Sequence, residues 1–94
     1  MNITQVEKIA KALGDRTRLQ IYGHIAKNPR VSCGQLVEHH RVTPATVSHH
    51  LKTLSEAGLI ACQRKGQFIL NTADPRVLEA FTKAVKSLSK RSPK

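Results

Sequence analysis

Acidic residues are scarce in this chain. Asp and Glu number 6 against 16 Lys and Arg, a formal charge of +10 over 94 residues with histidine neutral. Such an imbalance says nothing of the fold, but it points to a polyanionic partner: nucleic acid first, an acidic membrane surface second. Aromatic side chains are few: Tyr22, Phe68 and Phe81, with no tryptophan. Proteins that grip single strands stack bases on aromatic platforms, and three rings hardly supply one. The charge therefore points to a duplex. No apolar run approaches the ~20 residues that span a bilayer. The start, Met1-Asn2-Ile3-Thr4, lacks the charged-then-apolar order of a secretory leader, so the expectation is a cytoplasmic protein without a membrane partner. Cysteine is limited to Cys33 and Cys62, too few for a disulfide framework and too far apart for a metal knuckle. The length suits one domain of modest core, and no internal repeat is visible.

What is present is helical periodicity with clear punctuation. Ile3, Val6, Ile9, Ala10 and Leu13 recur at helical spacing, with Thr4 and Glu7 placed as a capping box and Gly14 as the stop. Asp15 caps a second helix whose buried stripe is expected to be Leu19, Tyr22, Ile25 and Ala26, ended by Asn28-Pro29. Ser32 and Gln35 open a short third helix over Cys33 to His40, with Val31 stapling against Leu36. Thr43 caps a fourth helix with Pro44 at its first position, and Gly58 stops it. Leu59 to Gln63 and Phe68 to Thr72 read as strands around the turn Arg64-Lys65-Gly66-Gln67. Asp74 and Pro75 start a last helix with Val77, Leu78, Phe81, Val85 and Leu88 on its apolar face. The segment 83–94 carries five bases and no acid, and 89–94 is expected to fray. The fold class predicted is mainly α with a β-hairpin wing: a single winged helix-turn-helix domain, in the order ααααββα.

The fourth helix carries the candidate chemistry. At 100° per residue, Val47, Leu51 and Leu54 face the core. Ala45, Thr46, His49, Lys52 and Thr53 face outward, with Ser48 and His50 on the flanks. Small uncharged residues come first and a base later, which suits a helix whose first turns enter the major groove. Thr46 and His49 hydrogen-bond base edges in this reading, Ala45 meets a thymine methyl, and Lys52 reaches guanine or phosphate. Arg41 and Thr43 stand at the helix start, where a phosphate can sit. Arg64 and Lys65 reach the minor groove or its phosphates from the wing. A solvated helix face and a basic loop are the plain alternatives; their coincidence with the Thr-Pro turn favours DNA.

Three stretches then resemble a family. Ala12-Leu13-Gly14-Asp15-Arg16-Thr17-Arg18-Leu19-Gln20-Ile21, Val47-Ser48-His49-His50-Leu51-Lys52-Thr53-Leu54 and Ala57-Gly58-Leu59-Ile60 resemble the ArsR/SmtB winged-helix repressors, over about residues 3–88. The resemblance implies a homodimer built by the first and last helices. It implies binding of a double-stranded operator, relieved by a metal or another signal. Arsenic and cadmium sensors of that family carry a Cys-x-Cys pair at the third helix, where this chain has Ser32 and Gly34 with Cys33 between them. Zinc and nickel sensors ligate along the last helix, which here offers Asp74 and Glu79 but no histidine.

No metal-ligating set, cofactor or catalytic residue is therefore named. Cys33 and His40 share a helical face, but two ligands do not make a site. Cys33 with a histidine lacks an acid to orient it, so no enzyme is expected. The resemblance also allows a thiol switch: Cys33 opens a helix and Cys62 lies in the first wing strand. Two small buried hydrophobes are the alternative. The expected function is a homodimeric, sequence-specific duplex-DNA regulator, a repressor, with recognition helices about 34 Å apart. A thiol-responsive repressor using Cys33 and Cys62, an RNA-associated module and a constitutive, effector-free binder remain open beside it.

Overall fold

The computed structural model describes residues 1–90. Its elements are α1 (Ile3–Leu13), α2 (Arg16–Lys27), β1 (Val31–Ser32), α3 (Cys33–His40), α4 (Pro44–Glu56), β2 (Ile60–Lys65), β3 (Phe68–Ala73) and α5 (Pro75–Leu88). The predicted mainly α fold with a β wing is what is found, with β1 as an added strand. Of the tail expected to fray, residues 91–94 lie outside the described residues. Ser89 closes α5, its N–H reaching the carbonyls of Val85 and Lys86.

Most helix starts follow their caps. Asp15, Ser32, Thr43 and Asp74 each accept a backbone N–H at the head of α2, α3, α4 and α5. At α3 the box is reciprocal: the Gln35 N–H donates to Ser32 Oγ at 3.1 Å and the Ser32 N–H to Gln35 Oε1 at 2.9 Å. The first helix departs from expectation. Its box is Asn2 with Gln5 rather than Thr4 with Glu7. Asn caps at least as well as Thr, and starting at Asn2 brings Ile3 and Thr4 into the helix.

The second helix is also rotated from its expected stripe. Ile21, Tyr22 and Ile25 are buried, whereas Leu19 and Ala26 are exposed. Arg18 explains the rotation. Its guanidinium turns inward to cap the end of α1, donating to the carbonyls of Ala12 and Lys11. These are carbonyls that a helix C-terminus leaves without intrahelical partners.

The sheet has the order β1-β3-β2, all antiparallel. β2 and β3 each extend past the expected strands. Lys65 pairs with Phe68 across a two-residue turn, Gly66-Gln67. Gly66 adopts φ +61°, the positive φ that a type II′ hairpin needs at its first central residue and that glycine supplies at no steric cost. Arg64 and Lys65 are therefore strand residues at the wing tip, not turn residues. β1 arises because Arg30, at φ 67°, reverses the chain so that its N–H meets the Asn71 carbonyl at 3.0 Å. Two residues are too few to show any period in sequence.

The core gathers Ile9, Ala12, Ile21, Tyr22, Ile25, Val31, Leu36, Val47, Leu51, Leu54, Leu59 and Ile60. At its edge Asn71 is wholly buried, and its amide donates to the Val31 carbonyl at 3.0 Å. That bond satisfies a polar group whose burial would otherwise be costly, and it fixes β1 against β3. α5 is different: none of its residues is fully buried. Val77, Leu78 and Phe81 lean on the core, while Val85 and Leu88 stay exposed, as do Met1 and Ile3 at the other end of the chain.

Candidate nucleic-acid interface

α3 and α4 are joined by a three-residue turn, Arg41-Val42-Thr43. Arg41 takes a left-handed conformation at φ 54°, and its N–H returns to the Val37 carbonyl. Val42 tucks against the core and Thr43 caps α4. The Thr43 hydroxyl donates to Thr46 Oγ1 at 2.9 Å and accepts the Thr46 N–H at 3.1 Å. Thr43 is thus occupied as a cap, while the hydroxyl proton of Thr46 remains able to meet an outside acceptor.

Along α4, Ala45, Ser48, His49 and Lys52 are exposed and Thr46 is half-buried, while Val47, Leu51 and Leu54 pack inward as expected. His50 does not belong with the outward set. It is 8% exposed, and its Nδ1 lies 3.3 Å from Nη1 of Arg18. Arginine only donates, so Nδ1 accepts and the imidazole must leave that nitrogen unprotonated. His50 is a buried bracket between α4 and the end of α1. Sequence placed it on the flank of the stripe, and the inward turn of Arg18 draws it under.

On the wing, alternation separates the two bases. Ile60, Cys62 and Arg64 share one face of β2, and Lys65 lies on the other. The first face turns toward α4: Cys62 and Ile69 line a shallow groove of about 250 Å³ together with Ser48, Leu51 and Lys52. Arg64 pairs with Ile69 across the hairpin, so it stands on the side of α4. Arg41, Arg64 and Lys65 are all exposed.

The two thiols meet the same side chain. Cys62 Sγ donates to Asn71 Oδ1 at 3.2 Å, and Asn71 Nδ2 approaches Cys33 Sγ at 3.8 Å. Neither cysteine is a fully buried hydrophobe: Cys33 is half-buried and Cys62 exposed. Burial, with Cys33 adding to it, pushes the Cys62 thiol up, away from the thiolate. The two acids of α5 are likewise engaged. Asp74 caps α5 and pairs with Arg76 at 3.4 Å, and Glu79 pairs with Lys83 at 3.3 Å.

Three histidines that sequence left apart come together. His24 from the last turn of α2 meets His39 and His40 from the last turn of α3, and His24 Nδ1 lies 3.1 Å from His40 Nε2. Among the described residues one ligand atom from each ring lies within 4.8 Å of the others. His40 therefore partners His24, and Cys33 partners Asn71; the pair Cys33 and His40 is not assembled. Burial first, then the neighbouring imidazoles, holds His24 and His40 below the usual histidine range. Burial likewise lowers His50, with the Arg18 charge adding to it against the opposing pull of Asp15.

These shifts have a sign. A histidine lowered on folding binds its proton more readily in the unfolded chain, so stability falls as pH drops below the unfolded value near 6.5 and levels off below the folded values. Metal-free protein is expected to melt at a lower temperature at pH 5.5 than at pH 7.5, as read by circular dichroism. His50→Gln should flatten part of that slope.

The comparisons agree with this geometry. A family model described as a helix-turn-helix domain matches residues 13–63. The transcriptional repressor SdpR of Bacillus subtilis is 34% identical over 74 residues, covering 79% of this chain and 81% of its own. The arsenical resistance operon repressor of the same species is 34% identical over 64 residues, 68% of this chain and 61% of its own. The chain belongs to the ArsR family. Two solved folds extend the likeness over nearly the whole regulator. An ArsR-like regulator from Rhodococcus superposes with a TM-score of 0.82 at 21% identity, over 92% of this chain and 80% of its own. A homodimeric winged helix-turn-helix DNA-binding domain from Mycobacterium bovis superposes with a TM-score of 0.75 at 23% identity, over 97% and 84%. ArsR-family proteins are DNA-binding transcription regulators, not enzymes. No described helix of this member is long and apolar enough to cross a membrane.

Proposed function

We propose that this ArsR-family regulator is a cytoplasmic homodimeric repressor that reads a double-stranded operator with α4 and holds it with the wing. The observation that carries this reading is the outward face of α4. Ala45, Ser48, His49 and Lys52 lie exposed and Thr46 half-buried on the helix whose opposite side is locked into the core. Such a face presents donors, acceptors and a methyl to the major groove without moving the scaffold. Arg41, Arg64 and Lys65 supply phosphate contacts. Thr43 acts by fixing the start of α4, and His50 is not a contact residue. The relative SdpR is a repressor, which supports repression here.

Dimerisation is supported by apolar surface left at the chain's ends. Met1, Ile3, Val85 and Leu88 are 49%, 65%, 42% and 64% exposed, and a second copy would cover them. The homodimeric neighbour from Mycobacterium bovis assembles in kind. A dimer would set the two copies of α4 about 34 Å apart, one turn of duplex.

A thiol-responsive form of the reading rests on the two sulfurs that share Asn71. The raised Cys62 thiol works against it, because the thiolate is the reactive form.

Competition between duplex DNA and folded RNA at physiological salt tests the reading, with duplex expected to win. Within duplex binding, the plot of log K against log salt should be steep. Replacing Arg64 and Lys65 together by alanine should flatten it by about 3.6, near 0.9 for each of the four phosphates that the two wings of a dimer no longer neutralise. Arg64→Ala should account for the larger part, since it stands on the side of α4.

A further inference from the structure

We propose that His24, His39 and His40 form a binding site for a borderline divalent transition-metal cation of the zinc class, which ties α2 to α3. The inference is independent of how the regulator binds DNA. Its basis is three neutral-nitrogen donors brought to one point from two helices, with ligand atoms no more than 4.8 Å apart.

The spacing suits a tetrahedral ion. At Zn–N distances of about 2.0–2.1 Å, tetrahedral ligand nitrogens stand roughly 3.3–3.4 Å from one another. His24 Nδ1 and His40 Nε2 already stand at 3.1 Å. The longer separations involve His39, which is exposed and whose ring must turn inward to close the site. The rings are also disposed around a common centre. Their centroids lie 4.6, 5.2 and 4.8 Å apart, tilted at 65°, 54° and 72°. Edge-to-face pairs of this kind also serve ordinary ring packing, so the site rests on the convergence of the donor atoms.

The donor set selects the ion. Imidazole suits zinc, copper, nickel and cobalt, whereas magnesium and calcium require oxygen. Three protein ligands leave a fourth position for water or another donor. Lys27 and Arg30 line the groove beside His24 and His39; their charges oppose the ion, so the imidazoles must supply the affinity.

Without a metal the short His24–His40 contact is a single hydrogen bond. With one it becomes a cross-link from the end of α2 to the end of α3, one residue before the left-handed Arg41 that begins the turn into α4.

Tag-free protein titrated with Co(II) at pH 7.5 tests this. One Co(II) per chain should give the visible d–d absorption of a low-coordinate nitrogen site, and Zn(II) should displace it. His24→Gln and His40→Gln should each weaken Co(II) binding more than about tenfold, since even outer-shell changes at metal sites cost that much. Glu79→Gln on α5 should leave it unchanged. Zn(II) should raise the melting temperature of the parent chain and not that of His24→Gln. Should His24→Gln fail to fold by circular dichroism, His40→Gln gives the same reading. Absence of the Co(II) spectrum at stoichiometric metal, parent-like binding by the two histidine variants, or loss of binding on Glu79→Gln would overturn the site.

Discussion

Replacing Thr46 and His49 together by alanine is expected to lower the preference for the operator over an unrelated duplex on the order of 1,000-fold. The melting temperature should barely move. Each side chain points away from the core, and the bonds it makes inside the protein are local: Thr46 within its own capping turn, His49 through its backbone carbonyl to Thr53. What both offer outside is a donor or acceptor at the first two turns of α4. A good base contact contributes about 1–3 kcal/mol of discrimination; a dimer loses four, two in each half-site, and such losses are close to additive when the positions read different base pairs. Binding to random duplex should change little, because Arg41, Lys52, Arg64 and Lys65 remain. Gel-shift competition with operator and scrambled duplexes separates the two effects.

The opposite pattern is expected from Leu54→Ala. Leu54 is fully buried on the inner side of the same helix. Truncating it removes buried methyl groups and leaves a cavity that the surrounding core cannot fill, a change that costs about 2–5 kcal/mol. In a domain of this size each kilocalorie lowers the melting temperature by roughly 4–8 °C, so a fall beyond about 10 °C is expected. Operator and random duplex should lose affinity alike, in proportion to the unfolded fraction. Thermal denaturation by circular dichroism, paired with the same gel-shift assay, checks both halves. The two substitutions sit on one helix and should part completely in what they disturb.

The difference between those residues was legible in the sequence because a helix shows its two faces at fixed spacing. Val47, Leu51 and Leu54 announce the inner side without any knowledge of what they pack against. The caps were equally readable, since Ser32, Thr43 and Asp74 act on N–H groups within three residues of themselves. Local chemistry of that kind does not depend on tertiary structure. At α1 two cap signals competed, and the stronger lay two residues earlier.

What sequence misjudged depends on contacts between elements. Nothing in the sequence marks out Arg18, whose guanidinium reaches the Ala12 and Lys11 carbonyls at the end of α1 and lies beside His50 under α4. β1 exists only because β3 offers it a partner, and Asn71 locks that pairing from a position that reads as an ordinary polar strand residue. The histidine cluster is the furthest from reach. His39 and His40 were visible as a doublet, but His24 joins them only through the packing of α2 on α3, and no spacing in the chain encodes that approach. Charge told the reverse story. The surplus of bases demanded a polyanion, and of the proposed contacts Arg41, Lys52, Arg64 and Lys65 the fold leaves all exposed but sets only Arg64 of the two wing bases on the side of α4.

Hydroxyl-radical footprinting of a selected duplex operator tests the central claim most directly. Two protected half-sites centred about one helical turn apart, roughly 10–10.5 base pairs, are predicted, with protection at each centre weakened by changing Thr46 and His49. A single protected patch, or protection indifferent to sequence and to those two residues, would contradict the account.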